Sequence, residues 1–74
     1  MATLPVISGR QAVSAFIKAG WQIARSRGSH IILIKPLEFY TLSIPNHKEL
    51  DRGTLRSLIR KSGMTISEFL SLLI

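Results

Sequence analysis

The stretch WQIARSRGSHIILIKPLEFYTLSI, residues 21–44, contains three short segments with strand character, at 21–26, 30–35 and 39–44. Gly28 lies in the first connection and Pro36 lies in the second. Short connections with these residue types are typical of antiparallel hairpins. The stretch therefore predicts a three-stranded antiparallel sheet. Pro45 ends the last strand because it has no backbone N–H for the ladder.

A helical pattern precedes the predicted sheet. Ser8 and Gln11 match the S-x-x-Q capping box, in which two side chains satisfy free amides at a helix start. Gly20 is of the residue type that often follows the end of a helix. Between these positions, apolar residues recur at the spacing of one helix face: Ala12, Val13, Phe16 and Ile17. The pattern predicts a first amphipathic helix.

Two more helices are predicted after the sheet. Asp51 is a candidate N-cap for a helix that continues to about Ser62, and Gly63 ends it. Thr65 and Glu68 form a second capping box, which opens a C-terminal helix. The apolar faces of the two helices are Leu55, Leu58, Ile59 and Ser62, and Ile66, Phe69, Leu70 and Leu73. The order α-β-β-β-α-α predicts one α+β domain over residues 1–74, with the helices on one side of the sheet.

The composition limits the class of protein. The chain has 74 residues, no cysteine, and ten lysines and arginines against four acidic residues, so that its net charge is +6. Without cysteine, neither a disulfide framework nor a thiolate metal site can hold the fold. The longest aliphatic run, 31–34, is too short to span a bilayer, and residues 1–10 lack a signal-peptide pattern. We therefore expect a cytoplasmic protein without a membrane partner, and the charge favours nucleic acid or an acidic protein.

A stripe of arginines marks the predicted second helix. Arg52, Arg56 and Arg60 recur at every fourth residue, opposite the apolar face, and Lys48 lies just before the helix. Guanidinium groups bind phosphate oxygens through bidentate hydrogen bonds, so the stripe favours contact with a nucleic-acid backbone. A solvated polar face, which any amphipathic surface helix has, is the alternative.

His30 is the candidate catalytic residue. It follows Gly28 and Ser29 at the mouth of the second strand, and Arg25 and Arg27 flank the same turn. An imidazole exchanges protons near neutral pH, and RNA cleavage needs a base for the 2′-hydroxyl, an acid for the leaving oxygen and cations around the phosphate. From the residues alone, an ordinary histidine at the end of a surface strand remains an alternative.

Other sites receive less support. His47, the only other histidine, lies in a polar loop where a phosphate contact or a polar cap is expected. The two histidines and four carboxylates show no metal-ligand spacing, so no metal and no cofactor is predicted. Trp21 and Phe39 are expected in the core or at its rim. The C-terminal FLSLLI, residues 69–74, is either a partner site exposing some of its last residues or a helix folded into the core.

The chain as a whole resembles the HicA toxins of prokaryotic toxin–antitoxin pairs, from about Ser8 to Leu73. The resemblance lies in the joint order and spacing of short motifs rather than in any one of them. These motifs are Ser8 and Gly9; Gly20 and Trp21; Arg27, Gly28, Ser29 and His30; Pro45 and His47; Glu49 and Leu50; Gly53, Thr54, Leu55 and Arg56; Ile59 and Arg60; Gly63; Glu68, Phe69 and Leu70.

The resemblance implies a fold similar to a double-stranded RNA-binding domain, with an extra C-terminal helix. It implies an mRNA interferase, a ribonuclease that halts translation and growth and is silenced by a cognate HicB-type antitoxin. The family's essential histidine, in its G-S-H motif, corresponds to His30, and Gly28 and Ser29 correspond to the turn that presents it. We expect a monomer when the toxin is alone and a hetero-oligomer with the antitoxin.

The connection at 35–40 departs from the family pattern. Many members have a polar turn with Asp-Gly at this place, whereas this chain has the sequence KPLEFY. Two other classes of function are open to the same residues. One is a double-stranded RNA-binding module without catalysis, and the other is an interaction protein whose basic face binds an acidic partner.

Overall fold

The computed structural model describes residues 3–73 and has the predicted order of elements. The helices are α1 (Gly9–Lys18), α2 (Arg52–Lys61) and α3 (Ile66–Ser71), and the strands are β1 (Gln22–Arg27), β2 (His30–Ile34) and β3 (Leu42–Pro45). The strands form one antiparallel sheet in the order β1-β2-β3. The α+β class and the similarity to a double-stranded RNA-binding domain with an extra helix are confirmed.

The ends of α1 are fixed by hydrogen bonds that the sequence indicates. Gln11 N donates to Ser8 Oγ at 3.1 Å and Ser8 N donates to Gln11 Oε1 at 2.8 Å, which is the predicted capping box. Gly20 has a φ of +104°, and Trp21 N donates to Phe16 O at 3.0 Å. This pattern is a Schellman motif. Because the Trp21 amide is used by the helix end, β1 begins at Gln22 and not one residue earlier as predicted.

The helices α2 and α3 also have their predicted caps. Asp51 Oδ2 accepts a hydrogen bond from Thr54 N at 3.1 Å. Thr65 Oγ1 accepts from Glu68 N at 3.1 Å, and Glu68 Oε1 accepts from Thr65 N at 2.8 Å. Hydrogen bonds from the backbone and side chain of Thr65 lower the pKa of Glu68. The capping box therefore stabilises the fold at neutral pH, and this contribution is lost as the pH falls through the lowered pKa.

The start of the third strand was predicted three residues too early. β3 begins at Leu42, where it pairs with Leu33, and residues 35–41 form a loop that is not part of the sheet. Without a strand partner, Phe39 is 103% exposed and Leu37, with a φ of +71°, is 98% exposed. The expectation that Phe39 lies in the core or at its rim is therefore wrong, whereas Trp21 is buried as expected.

The core lies between the helices and one face of the sheet. On this inner face, Leu33 of β2 pairs with Leu42 of β3, and Ile44 follows two residues later. The predicted faces of the helices meet them, except that Ile17 of α1 is 44% exposed because the helix does not cover the whole sheet. Phe16 packs on Phe69 with ring centroids 5.0 Å apart, and the α2 face is buried. In the C-terminal segment, Phe69 is buried and Leu70, Leu72 and Leu73 pack partly buried against the core, while Ile74 lies outside the described residues.

The described part of the chain, residues 3–73, contains no helix that is long and apolar enough to cross a membrane.

Candidate active site

The sheet face that points away from the helices carries the predicted histidine. Residues that pair directly across antiparallel strands lie on the same face, and the two faces alternate along each strand. His30 pairs with Arg27 of β1 and with Pro45 of β3. We call this side of the sheet the open face. Its residues are Gln22, Arg25, Arg27, His30, Ile32, Ile34, Ser43 and Pro45.

A β-bulge at Ala24 sets the direction of two arginines. The pairing of β1 with β2 shifts between Ile23 and Arg25, so that Ala24 is an extra residue in β1. Ile23 belongs to the inner face, and strict alternation would place Arg25 and Arg27 on that face as well. The extra residue reverses the alternation, as bulges near functional sites often do. Both arginines therefore share the open face with His30.

The turn between β1 and β2 places His30 at the start of its strand. Arg27 and His30 form the last pair of the hairpin, and only Gly28 and Ser29 lie between them. Gly28 has a φ of +60°, which suits the first central position of a type II′ turn. A Cβ at Gly28 would have no heavy atom within 4 Å, so this side of the turn is open to solvent. A phosphate group can approach its backbone closely.

The His30 imidazole is held from one side. Its Nδ1 lies 2.9 Å from Ser43 Oγ, across the strand pair β2 and β3. Both side chains are exposed on the open face. Among residues 3–73, Nε2 has no hydrogen-bond partner, so this nitrogen is the one available to a substrate. A ring fixed at Nδ1 with Nε2 open is the usual arrangement of an imidazole that transfers protons.

Three segments meet at the end of the sheet where His30 lies. Asn46 N donates to Ser29 O at 2.6 Å, which joins the residues after β3 to the hairpin turn. Gly9 N donates to His47 O at 2.9 Å, which joins the same loop to the start of α1. We call this region, composed of residues 27–30, residues 45–51 and the start of α1, the turn end of the molecule. Its backbone bonds fix the loops around the imidazole.

The predicted phosphate-binding residues divide into two groups. His47, Lys48 and Arg52 are exposed at the turn end or at the adjoining start of α2. Arg56 and Arg60 are exposed further along the helix, and Arg60 lies about 12 Å from Arg52 at 1.5 Å per residue. The structure therefore brings the first group to the end of the molecule that holds His30. Arg56 and Arg60 lie progressively further from that end.

Ser43 is a candidate site residue that the sequence analysis did not identify. The sequence shows it only as a polar residue between two core positions of β3, and such residues usually face solvent without a role. Its position diagonal to His30 depends on the register of β3 against β2, which no local pattern specifies. Ser43 could have been identified by looking for a serine or threonine on the strand next to the candidate histidine.

The described residues do not assemble a metal site. Within residues 3–73, no group of three or more histidine, cysteine, aspartate or glutamate side chains is close enough to hold a metal ion. The open face itself brings an imidazole together with two guanidinium groups. Such a set can move a proton and neutralise phosphate charge.

Comparison with known proteins agrees with this geometry. The family model described as the HicA toxin of bacterial toxin-antitoxin matches residues 9–64, which is well over half of the chain. A search of curated proteins found no match. Members of the matched family are ribonucleases, and a toxin of this kind has a cognate antitoxin. The resemblance seen in the sequence is confirmed, and the chain belongs to the HicA toxin family of bacterial toxin–antitoxin systems.

Proposed function

We propose that the chain is an endoribonuclease that cleaves mRNA, with His30 as general base and acid. The observation that supports it best is the open-face arrangement of His30, held through Nδ1 by Ser43 and flanked by Arg25 and Arg27. A histidine that was incidental to a strand end would need neither the bulge that turns both arginines toward it nor a partner on the next strand. Membership of the HicA family also supports a ribonuclease.

The reaction follows from the chemistry of the imidazole. With Nδ1–H donating to Ser43 Oγ, Nε2 carries a lone pair and accepts the proton of the ribose 2′-hydroxyl. The 2′-oxygen forms a bond to phosphorus while the bond from phosphorus to the 5′-oxygen breaks. The imidazolium then returns a proton to the leaving oxygen, directly or through water. Ser43 accepts from Nδ1–H in both states, so the ring keeps one orientation throughout.

Arginine and lysine side chains would supply the charge that this step needs. Arg25 and Arg27 stabilise the negative charge that develops on the phosphate being cleaved, because guanidinium groups form charge-assisted hydrogen bonds with phosphate oxygens. Lys48 and Arg52 bind neighbouring phosphates at the turn end, and His47 contributes a further contact. On a longer RNA, Arg56 and Arg60 extend the same track.

A HicB-type antitoxin is the proposed partner that silences this activity. We propose that the toxin alone is a monomer, that it forms a hetero-oligomer with the antitoxin, and that both act in the cytoplasm where mRNA is translated. The net charge of +6 would favour fast association with RNA and with an acidic protein alike.

Cleavage of RNA without added metal is the direct test of this function. We expect the purified chain to cleave a single-stranded transcript at the same rate with and without excess EDTA. Attack by the 2′-oxygen leaves a 2′,3′-cyclic phosphate on one fragment and a 5′-hydroxyl on the other, and mass spectrometry of the fragments shows both. The same sequence made as DNA is the control and stays intact. Binding without cleavage would instead establish a non-catalytic RNA-binding module.

Replacing the serine that holds the imidazole should slow cleavage. We expect Ser43→Ala to lower kcat about fivefold with little change in KM, since a hydrogen bond contributes about 1 kcal/mol and tenfold in rate corresponds to about 1.4 kcal/mol. Ser43→Thr keeps the hydroxyl and should retain most of the rate. Equal losses in both variants, or a loss confined to KM, would contradict a role in orienting His30.

Arginines at the two ends of α2 should contribute differently to the binding of a short RNA. We expect Arg52→Ala to weaken binding and to reduce the slope of log K against log salt by about 1, because one phosphate contact is lost. Arg60→Ala, two helical turns further on, removes the same charge and should leave the slope for the same short RNA unchanged. A fluorescence titration at several salt concentrations measures both, and identical slopes for the two variants would contradict the assignment.

A further inference from the structure

An apolar groove lies between α1 and β1, on the side of the sheet opposite to His30. Its volume is about 580 Å³. Val13 and Ile17 of α1 form one wall, and Ile23 and Ile31 of the sheet form the other. Ile17 was predicted as part of the core face of α1, yet it is 44% exposed, and Ile23 is 54% exposed. The inner face of the sheet therefore extends beyond the area that α1 covers.

The groove runs beside a sheet edge that no other strand of residues 3–73 occupies. β1 is at the end of the strand order, and all six of its residues are exposed. An edge strand presents backbone N–H and C=O groups that can pair with a further strand. A strand added to β1 would continue the sheet, and every second side chain would point into the groove. The apolar groove and the unpaired edge of β1 thus both suit the same ligand, an extended peptide in which every second side chain is apolar.

The surrounding charge indicates which peptide it is. Arg10 and Lys18 both line the groove, about 12 Å apart along α1 at 1.5 Å per residue. Arg25 and Arg27 lie on the opposite face of β1, the strand that borders the groove. A second copy of this chain, itself at +6, would place these arginines near one another and be repelled. RNA is also a poor fit, because its phosphates gain nothing from an isoleucine-lined groove.

We propose that an acidic β-strand of the antitoxin adds to β1 and fills the groove. Its inward side chains are apolar, and its outward side chains are acidic and face Arg25 and Arg27. This mode of binding is β-strand addition, in which backbone pairing gives affinity and the groove gives specificity. It rests on the proposed function in one respect: acidic groups on Arg25 and Arg27 would compete with the phosphates of RNA.

The experiment uses the full chain with His30→Ala, so that cells survive, together with its cognate antitoxin. Calorimetry measures Kd for three isoleucine variants. We expect Ile23→Glu and Ile17→Glu, one from each wall, to raise Kd at least about 30-fold, as for a central interface residue. Ile34→Glu is the matched control, because Ile34 is 42% exposed but lies on the open face, and it should change Kd less than about threefold.

Hydrogen exchange tests the strand pairing independently of any substitution. On binding the antitoxin, outward-facing amides within residues 22–27 should exchange at least about tenfold more slowly. The proposal is wrong if both groove variants bind as tightly as the Ile34 control, or if protection appears elsewhere while β1 is unaffected. Circular dichroism of each variant shows that it is folded, and either groove variant alone suffices for the comparison.

The catalytic role of His30 and the binding of the antitoxin at the groove can be disproved independently of each other. With His30 intact, Ile23→Glu should cleave RNA at the rate of the unmodified chain but escape inhibition by the antitoxin. If His30→Ala were still active, the catalytic assignment would be lost while the calorimetry remained decisive for the groove. If Ile23→Glu stayed fully inhibited and tightly bound, the groove would be excluded while the role of His30 remained.

Discussion

His30→Ala is expected to lower the rate of RNA cleavage by about 10²–10⁴, the usual contribution of a positioned proton-transfer group. The loss should appear in kcat, because the imidazole acts on a proton during the reaction, whereas Arg25, Arg27 and the turn backbone still bind the phosphates. Binding of RNA should change by no more than a few fold. In cells that lack the antitoxin, the variant should permit growth that the unmodified chain stops.

His47→Ala is the matched control for this prediction, since it removes the only other histidine of the chain. His47 contributes its backbone carbonyl to Gly9, and that carbonyl is retained in the variant. We therefore expect a modest loss of RNA affinity and no large loss of kcat. If His47→Ala lost the activity and His30→Ala kept it, the catalytic residue would be at the loop and not on the strand. Melting temperatures of the two variants should match, because both side chains are exposed.

Helix ends could be predicted closely because each depends on a few neighbouring residues. The capping residues Ser8, Asp51 and Thr65 bond to amides three positions ahead, so that pattern and geometry coincide. The start of β3 could not be predicted in this way. Whether residues near Phe39 are a strand depends on what β2 offers as a partner, and Leu33 is the last residue of β2 that pairs with β3.

In the candidate site too, features that depend on neighbouring residues could be predicted, whereas features that depend on strand pairing could not. His30 and its Gly28–Ser29 turn can be found from local sequence, since a glycine before a strand predicts a hairpin turn. The common face of Arg25, Arg27 and His30 cannot be found locally, because plain alternation over β1 without the Ala24 bulge puts the arginines on the wrong side. Ser43 depends on register across two strands. What the sequence leaves open is therefore the mutual arrangement of side chains from different elements.

Replacing Gly9 by alanine is expected to cause the second large effect, on stability. A Cβ at Gly9 would overlap Pro45 O and lie 3.0 Å from Pro45 C, and both are backbone atoms that cannot rotate out of the way. The start of α1 would have to move from the end of β3, which weakens the bond from Gly9 N to His47 O. We expect a loss of about 3 kcal/mol in the free energy of unfolding, near the upper end for overpacking.

For a chain of 74 residues, each kcal/mol lost shifts Tm by about 4–8 °C, so this loss should lower Tm by roughly 15 °C. Gly63→Ala is the control that separates space from backbone conformation. Gly63 has a φ of +85° and no heavy atom within 4 Å of an added Cβ, so alanine there meets only the conformational penalty of about 1–2 kcal/mol. Thermal unfolding of both variants decides the matter. A smaller loss at Gly9 than at Gly63 would mean that α1 and β3 separate easily, and the turn end would then be too loose to hold His30 in one place.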